Sequence, residues 1–415
     1  MQRKHQHWYE SLRPRPMGGN EISLLASGRQ YFPALEQAVA QAQREIFVET
    51  YLFEADPTGQ RIAQALCVAA RRGVQTHLVV DGFGCARFDQ GLSQMLRGAG
   101  VKMEVFRPEP SGFSLSRQRL RRMHRKIVVV DGEIAFVGGI NIIDDQNSPH
   151  HGRLTAPRAD FAVRVRGPLV ARMHLACWRL WWQLGLVNAP RRLARWRGQE
   201  RRAPALRDLP DPPGPVPPAQ GPHRAMLVLR DNVRMRHAIE AAYLRAIGRA
   251  RREVLIACAY FLPGLRFRRA LQAAVQRGVR VRLLLQGREE YALPHWAQRA
   301  LYDELLRAGI EIIEYQPSFL HAKAAVIDDW ATVGSSNIDP FSLLLAREAN
   351  VVVFDKNFAL RLRDAIEELI RSGGQPLLAS HHARRSWPTR LLQSIAFGLL
   401  RLGVAIAGQG RKSYG

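Results

Sequence analysis

One stretch of this chain is written twice, and few folds accommodate that. From Arg44 the sequence runs REIFVETYLFEADPTGQRIAQALCVAARRGVQTHLVVDG; from Arg252 it runs REVLIACAYFLPGLRFRRALQAAVQRGVRVRLLLQG. Each copy reads as an apolar strand, a loop, a helix of 3.6-residue apolar period that stops at Arg-Gly, and a second strand. That is a βαβ unit. The copies continue as RGAGVKMEVFRP and LRAGIEIIEYQP, each a further helix end and strand. Such a repeat predicts an α/β protein of two homologous sandwich-like lobes packed with pseudo-twofold symmetry around one active site. The segment RRAPALRDLPDPPGPVPPAQGP separates the copies and predicts an extended, exposed linker. The expected boundaries are a first lobe over 1–200, a linker over 201–222, a second lobe over 223–380 and a basic, apolar tail over 381–415.

Each copy ends in the same motif. The first carries His124, Lys126, Asp131 and then Gly138-Gly139-Ile140-Asn141; the second carries His321, Lys323, Asp328 and then Gly334-Ser335-Ser336-Asn337. From the residue counts, about 0.007 chance matches to HxKxxxxD are expected in a chain of this composition. Two matches at equivalent places are therefore not accidental. IVVVD and AAVID read as buried strands, and a period of two puts each His and Lys on one face at the strand start. A phosphate held between the copies would meet two imidazoles and two ammonium groups. The lysines supply point charge to its non-bridging oxygens, and Asn141 and Asn337 can donate amide hydrogen bonds to the same oxygens. One histidine can attack phosphorus while the other protonates the leaving alcohol.

Further positions recur. RADFAVRV gives Asp160 and REANVVVF gives Glu348, each just before an apolar strand. A carboxylate there can fix the tautomer of a histidine and stabilise its imidazolium; Glu348 is expected to serve His321, the histidine of its own copy. Asp131 and Asp328 stand at strand-to-turn positions, where aspartate commonly braces a loop. The second turn is one residue shorter than the first, which bears on where Asn337 falls. Two histidines can also bind zinc, but each has a lysine beside it rather than a third ligand, so no metal and no cofactor is expected.

Composition narrows the partners. The formal net charge is +25, which attracts a polyanion such as nucleic acid or an anionic membrane. Fifty-five of the 61 basic residues are arginine, a bias that weakens the charge as a binding signal. It sharpens another one, because two of only six lysines fall in the motifs. The four cysteines show no metal or disulfide spacing, and MQRKHQHWYE has no apolar leader pattern. LLQSIAFGLLRLGVAI, from Leu391 to Ile406, is too short for a span and interrupted by Arg401; it is either a helix packed on the second lobe or an interfacial one. The run holding Trp178, Trp181 and Trp182 poses the same choice.

The paired motifs, with RRMHRKIVVVDGEIAFVGGIN, WATVGSSNIDPFSLLLAREANVVV and REVLIACAYFLPGLRF, resemble the phospholipase D superfamily and its bacterial cardiolipin synthase branch, the B-type most closely. The resemblance spans roughly residues 20 to 400. It implies a ping-pong phosphatidyl transfer from phosphatidylglycerol to phosphatidylglycerol through a phosphohistidine, releasing glycerol and needing no metal. It also implies peripheral residence on the cytoplasmic face of the bacterial inner membrane, with anionic phospholipid (phosphatidylglycerol, cardiolipin) as the partner. No nucleic acid and no obligate protein partner are expected. His124 is expected to be the nucleophile, both from the resemblance and because its arginine-rich surroundings should keep its ring neutral. His321, with fewer cationic neighbours, is then the acid and base. The competing readings are hydrolysis of phospholipid by the same site, and a nuclease of the same superfamily.

Overall fold

The repeat folds as its apolar periods require. The computed structural model describes residues 12–86, 88–108, 121–195, 221–232, 234–383 and 385–406. The linker expected over 201–222 lies outside them except for its last two residues, as does MQRKHQHWYE. The first half contributes β1 (Met17–Ala26), β2 (Glu45–Thr50), β3 (Gln75–Asp81), β4 (Lys102–Phe106), β5 (Lys126–Val130), β6 (Ile134–Gly138), a small ribbon of β7 (Asn147–Ser148) and β8 (Gly152–Arg153), and β9 (Phe161–Arg166). The second contributes β10 (His223–Arg230), β11 (Glu253–Cys258), β12 (Arg280–Gln286), β13 (Glu311–Tyr315), β14 (Lys323–Ile327), β15 (Trp330–Gly334), β16 (Glu348–Phe354) and β17 (Gly374–Pro376).

The two halves match strand for strand. One runs β4-β3-β2-β5-β6-β9-β1, the other β13-β12-β11-β14-β15-β16-β10, with β17 added beyond β13. Antiparallel pairing of β1 with β10 joins them into one 15-stranded sheet. These joining strands precede the copies in which the repeat is legible. The half-sheets then face each other. Alternate residues of both (Ile127, Val129, Val163 and Val165 from one; Ala324, Val326, Ala349 and Val351 from the other) share a single apolar core. The opposite face of each half-sheet packs against its own helices, Ser27–Gln41 and Pro57–Arg71 in the first lobe, Ala238–Arg249 and Leu265–Gln276 in the second.

Burial bears on two open choices. The helix Pro168–Arg195 puts Leu169, Met173, Cys177 and Trp178 into the shared core, and Trp181 and Trp182 pack against it. The tryptophan run is therefore core rather than a membrane face. The helix Trp387–Ile406 buries Gln393, Ala396 and Leu400, and packs on the helix Ala292–Arg299. Each such apolar side chain contributes about 1–3 kcal/mol. Yet Trp387, Leu391, Leu392, Ile395, Leu399 and Leu402 of the same helix stay exposed. Among the described residues no helix is long and apolar enough to cross a membrane.

Candidate active site

The site forms where the half-sheets meet at the starts of β5 and β14. Lys126 and Lys323 are the first residues of those strands, and both are buried. Each turns its Nζ back onto the carbonyl oxygen of the histidine two residues earlier, at 2.7 Å from Lys126 to His124. The histidines are stitched to the opposite lobe. The His124 N–H donates to Arg347 O at 3.0 Å and the His321 N–H donates to Ala159 O at 2.8 Å. Those acceptors immediately precede Glu348 and Asp160.

The carboxylates therefore cross between lobes. Glu348 Oε1 lies 2.9 Å from His124 Nδ1, and Asp160 Oδ2 lies 2.7 Å from His321 Nδ1. This corrects the expectation that Glu348 serves His321. Each acid stands at the start of an interior strand, Glu348 as the first residue of β16 and Asp160 just before β9, and the bridges Met123↔Arg347 and Ala159↔Leu320 bring it to the other lobe's histidine. With Nδ1 bonded to a carboxylate, each ring keeps Nε2 for chemistry.

The surroundings of the two pairs differ. Burial pushes His124 down, Lys126 adds to this, and Glu348 opposes it. His321 is held well below the usual histidine range by burial, then by Lys323, Lys126 and Arg158. So His321, not His124, faces the greater positive charge, which reverses the reading of the arginine-rich stretch. Arg125 is spent on Glu49, with Nη2 to Oε1 at 2.7 Å, and Arg122 lies 3.8 Å from Asp81. Asp160 is raised by burial to about 7, against the pull of Lys323. Burial would raise Glu348 as well, but His124, Lys126 and the Ser335 hydroxyl outweigh it and keep this carboxylate below its usual value. Lys126 is pushed down to about 7 by burial.

The glycine-rich turns account for part of this. Gly139 sits where a Cβ would come within 2.2 Å of Asp160 Oδ1, so the shorter acid requires glycine there. Ser335 occupies the matching place and donates to Glu348. Asn141 Oδ1 accepts from the Leu52 N–H at 3.3 Å, whereas Asn337 Oδ1 is buried with no partner among the described residues. The one-residue difference between the motifs is confined to the hairpin turns. Val130 pairs with Ile134 in one and Ile327 with Trp330 in the other, at the far end of the strands, so Asn141 and Asn337 follow Gly138 and Gly334 alike.

Asp131 and Asp328 stand in those same turns, with φ of 53° and 50°. They are a strand's length, roughly 16 Å, from the lysines. Asp131 accepts the N–H groups of Gln43, Arg44 and Glu45 at 2.7–2.9 Å; Asp328 accepts those of Arg251, Arg252 and Glu253 at 2.8–3.0 Å. Each thereby anchors its hairpin to the start of the neighbouring strand. Sequence reading missed Tyr51, whose ring meets His124 edge-on at 4.9 Å and lies under Lys126 Nζ at 5.4 Å. It also missed Arg158 and the role of Ser335; only the last had a signal, as the variable position of the G-[GS]-x-N turn. Among the described residues no group of three or more His, Cys, Asp or Glu could hold a metal ion.

Known proteins carry the same architecture. The chain matches the family model described as "Cardiolipin synthase, PLD-like domain" over residues 35–151 and 243–370. It is 38% identical over 395 residues to cardiolipin synthase B of Escherichia coli K12, covering 94% of this chain and 90% of that one. It is 30% identical over 373 residues to cardiolipin synthase A of Pseudomonas putida, covering 87% and 71%. In fold it is similar to phosphatidylserine synthase of Haemophilus influenzae, with a TM-score of 0.66 at 12% identity over 97% of this chain and 99% of that one. The chain belongs to the cardiolipin synthase family, phosphatidyltransferases of the phospholipase D superfamily.

Proposed function

We propose that this enzyme joins two phosphatidylglycerol molecules into cardiolipin and glycerol, with His124 as nucleophile and His321 as acid, then base. The observation that carries this is the crossed pair of histidine–carboxylate bonds, which puts one oriented imidazole from each lobe at one site. Lys126 and Lys323 neutralise the non-bridging oxygens and Asn141 and Asn337 bind them. His124 Nε2 attacks the donor phosphorus, the bond to the glycerol oxygen breaks, and His321 gives that oxygen its proton. A hydroxyl of the second phosphatidylglycerol then loses its proton to His321, its oxygen bonds to phosphorus, and the N–P bond breaks.

The differences between the pairs support this division. A phosphorylated imidazole is cationic, and ionised Glu348, held also by Ser335, is the better counter-charge for it. Asp160, raised to about 7, shares a proton with His321 and suits a group that gives one and takes one. The positive charge comes from lysine, so the reaction needs no metal, and EDTA should leave it intact.

We place the enzyme peripherally on anionic membrane at the cytoplasmic face of the bacterial inner membrane. The exposed apolar stripe of the helix Trp387–Ile406 would lie in the interface, assisted by the surplus of arginine. Labelled phosphatidylglycerol in vesicles, resolved by thin-layer chromatography, tests the reaction. Cardiolipin with glycerol is expected; phosphatidic acid as the sole product would show a hydrolase, and no turnover would overturn the proposal.

A further inference from the structure

A cavity rich in arginine lies near the start of β5, lined by the residues that follow His124 and precede Glu348. It is small, about 30 Å³, and Arg125, Arg179, Leu229, Arg230, Asp231 and Arg347 contribute to its wall. Two of its arginines have guanidinium groups without an ion pair among the described residues. Arg125 is matched by Glu49, and Asp231 turns one oxygen to the backbone N–H groups of Arg234 and Met235. Arg347 forms no ion pair with a described carboxylate; its guanidinium lies over the Phe106 ring at 5.6 Å. Arg230 is 2% exposed, and while Nη1 reaches Ala346 O and Asn232 Oδ1, its Nε and Nη2 are buried without partners. Buried unpaired donors are costly, typically about 1–3 kcal/mol each. A guanidinium fork matches the oxygens of a phosphate.

The position is specific. The Arg347 carbonyl accepts the backbone N–H of His124, and Arg230 stands opposite Glu348 across the β10–β16 pair, so two wall residues neighbour the His124–Glu348 pair through the backbone. The other half-site is built differently: its buried arginine is Arg158, whose Nη2 donates to Asp144 O and whose Nε has no partner among the described residues. Where the His124 side has Arg125, Arg347 and Arg230, the His321 side has Ala322, Ala159 and Ser27. Symmetry of the fold does not require these arginines, and their charge lies next to already buried lysines. A second anion, besides the one between the lysines, accounts for both facts.

We infer that Arg230 and Arg347 bind the phosphate of the acceptor lipid while its hydroxyl attacks the phosphorus carried by His124. The inference rests on the transfer reaction proposed above. In that reaction the acceptor's own phosphate sits a glycerol's length from the attacking oxygen, so a headgroup phosphodiester is the ligand class. Only the second half-reaction uses this site: the acceptor O–H proton passes to His321, O–P forms and N–P breaks. Water carries no phosphate and gains nothing from these arginines, so the site favours transfer over hydrolysis.

The test compares the wild-type enzyme with Arg347→Gln, a partly exposed position, and with Arg230→Gln. Three readouts are taken: the rate of adduct formation from labelled phosphatidylglycerol, the ratio of cardiolipin to phosphatidic acid, and the shift in melting temperature with short-chain phosphatidylglycerol or with inorganic phosphate. Both variants should form adduct at near wild-type rate, which also shows that they fold. Their KM for acceptor should rise ten- to a hundredfold, and product should shift towards phosphatidic acid. The lipid-induced melting shift should fall in Arg347→Gln. An unchanged product ratio with unchanged KM would overturn the inference while leaving the transfer reaction standing. Inorganic phosphate stabilising the wild type as strongly as the lipid headgroup would assign the pocket to free anion and overturn the acceptor role. A wild type that makes no cardiolipin, yet loses its melting shift in Arg347→Gln, would keep the anion site and sink both the acceptor role and the proposed reaction.

Discussion

The half-sites of His124 and His321 share a backbone and differ in almost everything that touches the ring. His124 has Glu348 behind it, Ser335 holding that carboxylate, and Tyr51 against its edge. His321 has Asp160, with Gly139 packed under it and Arg158 nearby. The repeat thus supplies two equivalent positions, and a few side chains give them different surroundings. Glu348 is held below its usual carboxylate value, whereas burial raises Asp160 to about 7. Near-symmetry brings one imidazole from each lobe to one site, and the departures from it make the surroundings of the two rings unequal.

The largest effect is expected where the halves are most alike. Lys126→Arg and Lys323→Arg should each lower kcat by about 10²–10³-fold, the scale of losing one preorganised donor to a developing charge. A planar, wider guanidinium does not fit a compact phosphate clamp closed by Nζ bonds to the histidine carbonyls. Steady-state rates decide this, and near-native turnover in either variant would break the assumed equivalence of the lysines. A smaller, unequal effect should separate the acids. Glu348→Gln should slow adduct formation by about a hundredfold, and Asp160→Asn by about tenfold, since only the former loses a full counter-charge to the phosphohistidine. Single-turnover quench experiments measure both, and equal losses would remove the distinction.

Much of this was legible in the residues. The two lobes, the motif strands and all four groups of the histidine–lysine pairs followed from period and spacing, because a strand places His124 and Lys126, or His321 and Lys323, with little freedom. What crosses between lobes did not follow. Asp160 and Glu348 each sit early in a strand of their own lobe, and only β1–β10 pairing and the Met123↔Arg347 and Ala159↔Leu320 bridges deliver them to the opposite histidine. Local charge also misled. The arginines around His124 point elsewhere, to Glu49 and Asp81, while Arg158, distant in sequence, reaches His321. Asp131 and Asp328 look chemical within the motif, yet the hairpin carries them to the other end of the strand.

Next in size is a purely structural effect. Asp131→Ala or Asp328→Ala should cost stability by about 1–3 kcal/mol, because three backbone N–H groups lose their acceptor. The pH profile of the residual activity should not move; a shifted profile in either variant would return that aspartate to the chemistry.

The smallest effect concerns protons in the His321–Asp160 pair. Asp160, raised from 3.8 to about 7, keeps its proton in the folded chain where the unfolded chain has lost it. Its contribution to stability is therefore full below about 3.8 and lost as pH rises towards 7. His321, held well below 6.5, stays neutral when folded, so it costs stability as pH falls below 6.5. Between these limits folded and unfolded chains hold one proton through the pair, on Asp160 or on His321, and the slopes cancel. Asp160→Asn should expose a loss on acidification below 6.5 of up to about 1.4 kcal/mol per pH unit. His321→Gln should show the opposite slope between 3.8 and 7. Urea unfolding across this range reads both, and flat stability in both variants would contradict the shared proton.

The division of labour between the half-sites is tested most directly by locating the covalent adduct. His321→Ala, given a phosphatidyl donor with a good leaving group, no longer needs acid assistance, and mass spectrometry should find a phosphatidyl group on His124. His124→Ala should form no adduct with the same donor. An adduct on His321 in His124→Ala, with none on His124 in His321→Ala, would contradict the assignment and reverse the roles of the two lobes.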